Sequence, residues 1–199
     1  MQIAEQVFLV LFATMASGLL FSFSPLLNKQ NSTSLNGYWV LAVGSYASGF
    51  FIFALVPSVH PALLTPANIC ILGTNIFSGL LFRSWRQPID RPLLIAAWGA
   101  LLVLGITYET IRQNGGFADR VVFVTTAFAI CLIWQGYEVA RLIYAKGPVI
   151  LKFIFGLILI TLLLTLTRTF TTINLNLGHV SNIFNEEILS RFLRWGTQG

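Results

Sequence analysis

The stretch that decides the fold is VILKFIFGLILITLLLTLT, residues 149–167, in which Lys152 is the only charged side chain. Hydrocarbon offers a peptide group no hydrogen-bond partner, so a chain crosses about 30 Å of it as a helix of roughly 20 apolar residues. Five further runs of this kind precede it, at residues 7–27, 38–59, 63–82, 92–108 and 121–137, the last continuing past Glu138 towards Ile143. Between them lie polar or turn-forming residues. Asn28 to Gly37 reads as a polar turn, and Pro57, Pro61 and Pro66 punctuate the next connection. Arg86-Gln-Pro88 to Arg91, Asn114-Gly-Gly116 and Gly147-Pro148 separate the rest. Loops this short make sequential helices antiparallel neighbours. The expected fold is all-α, a polytopic transmembrane bundle of six spans.

Composition agrees. The chain has 199 residues, 56% of them apolar and 10% charged, with a mean hydropathy of +0.78. Soluble domains average roughly 25% charged residues, more than twice as many. That difference excludes a soluble enzyme, a nucleic-acid binder and a disordered tail. The net charge of +5 does not point to nucleic acid, because Lys and Arg are scattered singly between apolar runs. Cys70 and Cys131 both lie inside apolar runs and read as packing residues, with no CxxC or Cys/His metal spacing. Glu5 stands before the first run, where a signal peptide would carry Lys or Arg, so that run reads as a retained span.

Orientation follows from the positive-inside bias. Lys29, Arg83, Arg86, Arg91, Arg141, Lys146 and Lys152 flank the odd-numbered loops; Arg112 and Arg120 flank the even ones. Seven against two places the odd loops in the cytoplasm and both termini outside. Residues 171–179 are rich in Thr and Asn and read as a polar linker. Within 181–195, Phe184, Ile188, Phe192 and Trp195 recur at helical spacing, behind a capping Asn185 and the acidic pair Glu186-Glu187. The segment is too short and too charged to span, so it reads as an interfacial amphipathic helix. The domains are thus 1–170, the bundle, and 171–199, the linker and interfacial tail.

A series of anchors runs through the spans. They are Trp39-Val-Leu-Ala42 and Gly49; Ala67-Asn68; Phe82-Arg83-Ser-Trp85; Trp98; Arg120-Val-Val-Phe123; Glu138-Val-Ala-Arg141; Lys152-Phe-Ile-Phe155; and Leu166-Thr-Arg168. In this order and spacing, over roughly residues 35–170, the chain resembles the multi-span membrane input region of bacterial diguanylate cyclases, the part that precedes a GGDEF catalytic domain. The resemblance implies a bacterial inner-membrane location and a sensory ancestry. That family usually adds a seventh span and the cyclase itself. Neither is found here, and no GG[DE]EF motif occurs, so the cyclase activity does not carry over. The chain reads either as a piece of a longer protein or as a small protein that kept the scaffold without the enzyme.

Several residues invite a functional reading beside an ordinary one. Asn68 and Asn75 lie seven apart on one face of the third span, with Thr74 beside them, and Gln135 of the fifth span can meet them. Their ordinary role is contact between helices; the sharper reading is a polar pocket. Glu138 and Arg141, three apart, form an expected intramembrane ion pair, structural or functional. Glu109 reads as interfacial. Gly44, Ser48 and Gly49 form a small-residue face for close helix contact, within the chain or with a partner. Trp39, Trp85, Tyr108, Tyr144 and Trp195 fall at the ends of spans, as interfacial aromatics do. Phe50, Phe51, Phe53, Phe77, Phe153 and Phe155 lie within spans and face lipid, or pigment or quinone of a neighbouring complex. His60 and His179 have no partner at metal spacing. No nucleophile motif, phosphate loop or carboxylate pair stands out. No cofactor is implied.

The expectation is a non-catalytic membrane protein that acts by binding partners, as an accessory or scaffold subunit of a larger membrane complex. The alternative is a stand-alone sensory module that binds a small signal. Even span number has a direct consequence: a topology reporter fused after Gly199 is expected to score extracytoplasmic, and a cytoplasmic score would contradict the six-span reading.

Overall fold

The computed structural model describes residues 7, 9–18, 33–145 and 147–174. Every regular element among them is helical: α1 Leu9–Gly18, α2 Thr33–Leu55, α3 Leu64–Ser84, α4 Arg91–Asn114, α5 Phe117–Tyr144 and α6 Ile150–Asn174, with one 3-10 turn at Pro61–Leu63. Helices α2 to α6 are long and apolar enough to cross a membrane. The shortest, α3, has 21 residues, about 32 Å at 1.5 Å per residue. The helical membrane bundle expected from the sequence is therefore present. The first expected span is described as helix over Leu9–Gly18. The interfacial segment with Phe184, Ile188, Phe192 and Trp195 lies outside the described residues.

The helices overrun several expected boundaries. Thr33 to Gly37, read as part of a turn, already belongs to α2. α4 continues past Tyr108 to Asn114, so that Glu109 and Arg112 are helical. α6 continues through Thr171 to Asn174, into the stretch read as a polar linker. The reason is visible in its side chains. Thr167, Thr172 and Asn174 donate to the carbonyls of Leu163, Arg168 and Phe170, one turn back, at 2.9 Å each. A threonine that hydrogen-bonds its own helix no longer needs water, so a wet composition is compatible with a continuing span.

The chain divides into two compact units, Met1–Gly105 and Ile106–Gly199, with the boundary inside α4. In the first unit α3 is the central helix; Ala67, Leu72, Ile76, Phe77 and Leu80 are all buried. α2 runs antiparallel to it. A Cβ on Gly49 would lie 2.9 Å from Ile71 Cδ1 and 3.3 Å from the Ala67 carbonyl, and one on Gly73 would lie 3.6 Å from Ser45 Oγ. The small residue at position 49 thus sets how closely the two backbones approach. The first half of α4 runs antiparallel along α3: Trp98 packs on Phe77 at 5.1 Å, and Leu101 and Ile69 reach Gly73 and Gly105. Phe12 of α1 stacks on Phe50 at 5.6 Å. Between α2 and α3, His60 Nδ1 accepts from the Ala62 backbone N–H at 3.1 Å and caps the turn that Pro61 opens.

In the second unit α5 and α6 form an antiparallel pair. Leu151, Ile158, Thr165 and Thr172 are buried on α6 at intervals of seven, with Arg168 between the last two. This is the heptad seam of two helices that supercoil gently about each other. A Cβ on Gly136 of α5 would meet Ile158 and Phe155 at 3.6 and 3.8 Å. The connection is tight: Gly147 N–H donates to Leu142 O at 3.1 Å, and a Cβ there would fall 2.7 Å from that same oxygen. Away from the seam α6 turns Phe153, Ile160, Leu163 and Phe170 outward, and α4 does the same with Ile95 (71% exposed) and Leu102 (66%). Apolar exposure on this scale suits lipid and not water.

The close approach at Gly49 yields a paired prediction. Gly49→Leu is expected to lower stability by about 1–3 kcal/mol, because Ile71 and the Ala67 backbone leave no room. Gly44→Ala, where nothing lies within 4 Å, should be neutral or raise stability by up to about 1 kcal/mol through helix propensity. Thermal melts in a single mild detergent compare the two.

Candidate functional site

The polar residues of the spans were the first candidates for a site, and the structure shows where their donors go. On α3, Asn68 Nδ2 donates to Leu64 O at 2.7 Å, Asn75 Nδ2 to Ile71 O at 3.0 Å, and Thr74 Oγ1 to Cys70 O at 3.1 Å. All three are bonds to the helix's own backbone, one turn back. Asn68 is buried, while Thr74 and Asn75 are half-buried. Gln135 is buried on α5, in the second unit. The small-residue face divides: Gly49 is buried against α3, Ser48 is exposed, and Gly44 has open space where a side chain would be.

The expected ion pair takes another form. Glu138 is fully buried on α5, whereas Arg141 is exposed. Arg141 donates to Tyr137 Oη at 3.0 Å, and its guanidinium lies 5.5 Å from the Tyr137 ring centre. The spacing of three, read as a pair, puts the two charges on differently solvated sides of one helix. Arg141 folds back over an aromatic ring near the helix end, as an interfacial cation does.

Sequence reasoning missed the most buried polar group of residues. On α6, Thr165 and Thr172 are almost wholly inaccessible and Arg168 is only 4% exposed. Beside them Thr169 Oγ1 lies 2.7 Å from Thr125 Oγ1 of α5. Thr125 directs its own proton to Val121 O at 2.8 Å, so any bond across the seam is donated by Thr169, whose other acceptor is Thr165 O at 3.0 Å. Arg168 is six residues from the end of α6, about 9 Å along the axis, a depth at which a guanidinium is costly unless protein surrounds it. The signal was the repeat of seven through 151, 158, 165 and 172; it was overlooked because Arg168 served as the marker of a span's end.

Charged side chains collect where α4 hands over to α5. Arg112 grips Glu109 with two bonds, 2.8 Å from Nε and 2.5 Å from Nη2, and Gln113 adds a third at 2.7 Å. The interfacial reading of Glu109 fits that place. Arg120 donates to Gly116 O at 3.3 Å, with its guanidinium 5.7 Å from the Phe117 ring centre. Asp119 Oδ2 accepts the Gly116 backbone N–H at 2.8 Å and closes the first turn of α5. Tyr108, buried, packs near Phe123 with ring centres 6.3 Å apart. Among the described residues no group of three or more His, Cys, Asp or Glu side chains is placed to hold a metal ion.

No family model matches the chain, and no curated protein or solved structure matches it. None of these comparisons links the chain to diguanylate cyclase input regions.

The inter-helix bond between Thr125 and Thr169 can be measured. A double-mutant cycle with Thr125→Val and Thr169→Val is expected to give a coupling of about 0.6 kcal/mol, and no more than about 1.7, the range of such bonds in membranes. Zero coupling would mean that each hydroxyl is satisfied by its own helix.

Proposed function

We propose that this chain is an integral membrane protein that works by holding partner proteins within the bilayer, as an accessory or scaffold subunit without catalysis of its own. The observation that carries the reading is the outward surface of α4 and α6. Trp98, Leu102, Val103 and Ile106 on α4, and Ile160, Leu163, Leu166 and Phe170 on α6, are all exposed. They give two long apolar faces with few polar interruptions, suited to lateral contact with lipid or with other membrane helices. Charged groups collect where α4 hands over to α5, around the Glu109–Arg112 pair. Arg168 adjoins Thr169, which bonds Thr125, and Glu138 lies thirteen residues further along α5, about 20 Å away along the axis. The two buried charges of the second unit thus lie apart from each other, which supports partner binding over a centre that joins them. The distribution of Lys and Arg supports a bacterial inner-membrane orientation with the Arg83, Arg86, Arg91 and Arg141 ends in the cytoplasm.

A second reading, a sensory input module of the diguanylate cyclase type, draws on Glu138 and Arg168 themselves. Buried ionisable residues in a bilayer are expensive and commonly mark function.

Native purification in mild detergent separates the readings. The first expects the chain in a stoichiometric larger assembly, lost in Ala100→Trp, which adds bulk to the exposed face of α4 while the chain stays in the membrane. A lone 22.1 kDa species that binds a small molecule favours the second.

A further inference from the structure

We infer that the groove between the start of α5 and the end of α6 seats a phospholipid whose headgroup carries a primary ammonium. The groove holds about 540 Å³ and is walled by Val122, Phe123 and Ile173, with Asp119, Thr126 and Thr172 among its polar lining. Its position sets the occupant. α5 has 28 residues and is about 42 Å long, which exceeds the roughly 30 Å of hydrocarbon. Asp119, its third residue, therefore stands at headgroup level, and Thr126, two turns further in, lies below it on the hydrocarbon side.

The chemistry matches the two ends of such a lipid. The Asp119 carboxylate is exposed, and its bond to the Gly116 N–H fixes its orientation. A carboxylate accepts through both oxygens, so Asp119 retains capacity for an ammonium donor. Arg112 is engaged with Glu109, Arg120 with Gly116 O and the Phe117 ring, and Arg168, one turn before Thr172, is withdrawn from the surface at 4% exposure. An anionic headgroup in this groove would face a carboxylate of its own sign. Thr126 differs from its buried neighbour Thr125 in being exposed, and it lines the groove. Its O–H can donate to a lipid phosphate or ester oxygen. Ile130 and Ile133, both exposed, follow Asp119 and Thr126 on the same face of α5 and give an acyl chain an apolar track.

This inference rests on the helices spanning a bilayer, and the test separates the two. The full chain is reconstituted in nanodiscs holding equal amounts of phosphatidylethanolamine and phosphatidylglycerol, and the lipids it retains after extraction are counted by native mass spectrometry. The native chain should retain the ammonium lipid over the glycerol lipid by up to about fivefold, the ratio an exposed charge pair supplies. Asp119→Asn should bring the ratio to about one. Ile173→Trp, which fills the groove and leaves the carboxylate in place, should lower retention of the ammonium lipid. Equal retention by the native chain, an unchanged ratio in Asp119→Asn, or unaltered retention in Ile173→Trp would each overturn the inference. Failure of the chain to enter discs would remove the bilayer reading, and the inference with it.

Discussion

The structure depends on one constraint: in hydrocarbon, a polar group must find its partner within the protein. Helices satisfy the backbone. The side chains then follow the same rule locally, and Thr14, Ser17, Asn68, Thr74, Asn75, Thr161 and Thr165 all donate one turn back along their own helix. Such bonds cost no inter-helix alignment, so they form wherever a short polar side chain falls in a span. Shape also determines which helices meet. Gly49 against Ile71 and Gly136 against Ile158 are contacts of fit.

The same constraint orders the charges by depth. Arg141, Lys152 and the Glu109–Arg112 pair stand within a turn or two of helix ends, where a long side chain reaches water or headgroups. Glu138 and Arg168 are set deeper and are withdrawn from the surface. A buried ion costs several kcal/mol in desolvation unless the protein replaces its hydration.

The number and type of the long helices could be read from the sequence because apolar run length is a strong signal that tertiary context does not reverse. Their ends could not, since polarity alone does not distinguish a threonine facing water from one bonded to its own helix; residues 171–174 illustrate this. Candidate site residues were only partly legible. Asn68, Gln135 and Glu138 are buried, as a polar residue in a span should be. For Glu138 and Arg141, a spacing of three in a helix permits contact without requiring it, and Arg141 donates to Tyr137 Oη. Arg168 escaped notice because a cation after an apolar run ordinarily marks where a span stops.

The α2–α3 hairpin has a kinetic consequence. Its closest contacts, Gly49 to Ala67 and Ile71, join residues about twenty apart in the chain, bridged by a turn that Pro57 and Pro61 stiffen. Closing so short a loop costs little entropy, and chains dominated by such neighbours condense quickly. These two helices can therefore pair as soon as both have been synthesised, before α4 emerges, and supply the template on which Trp98 and Leu101 later settle.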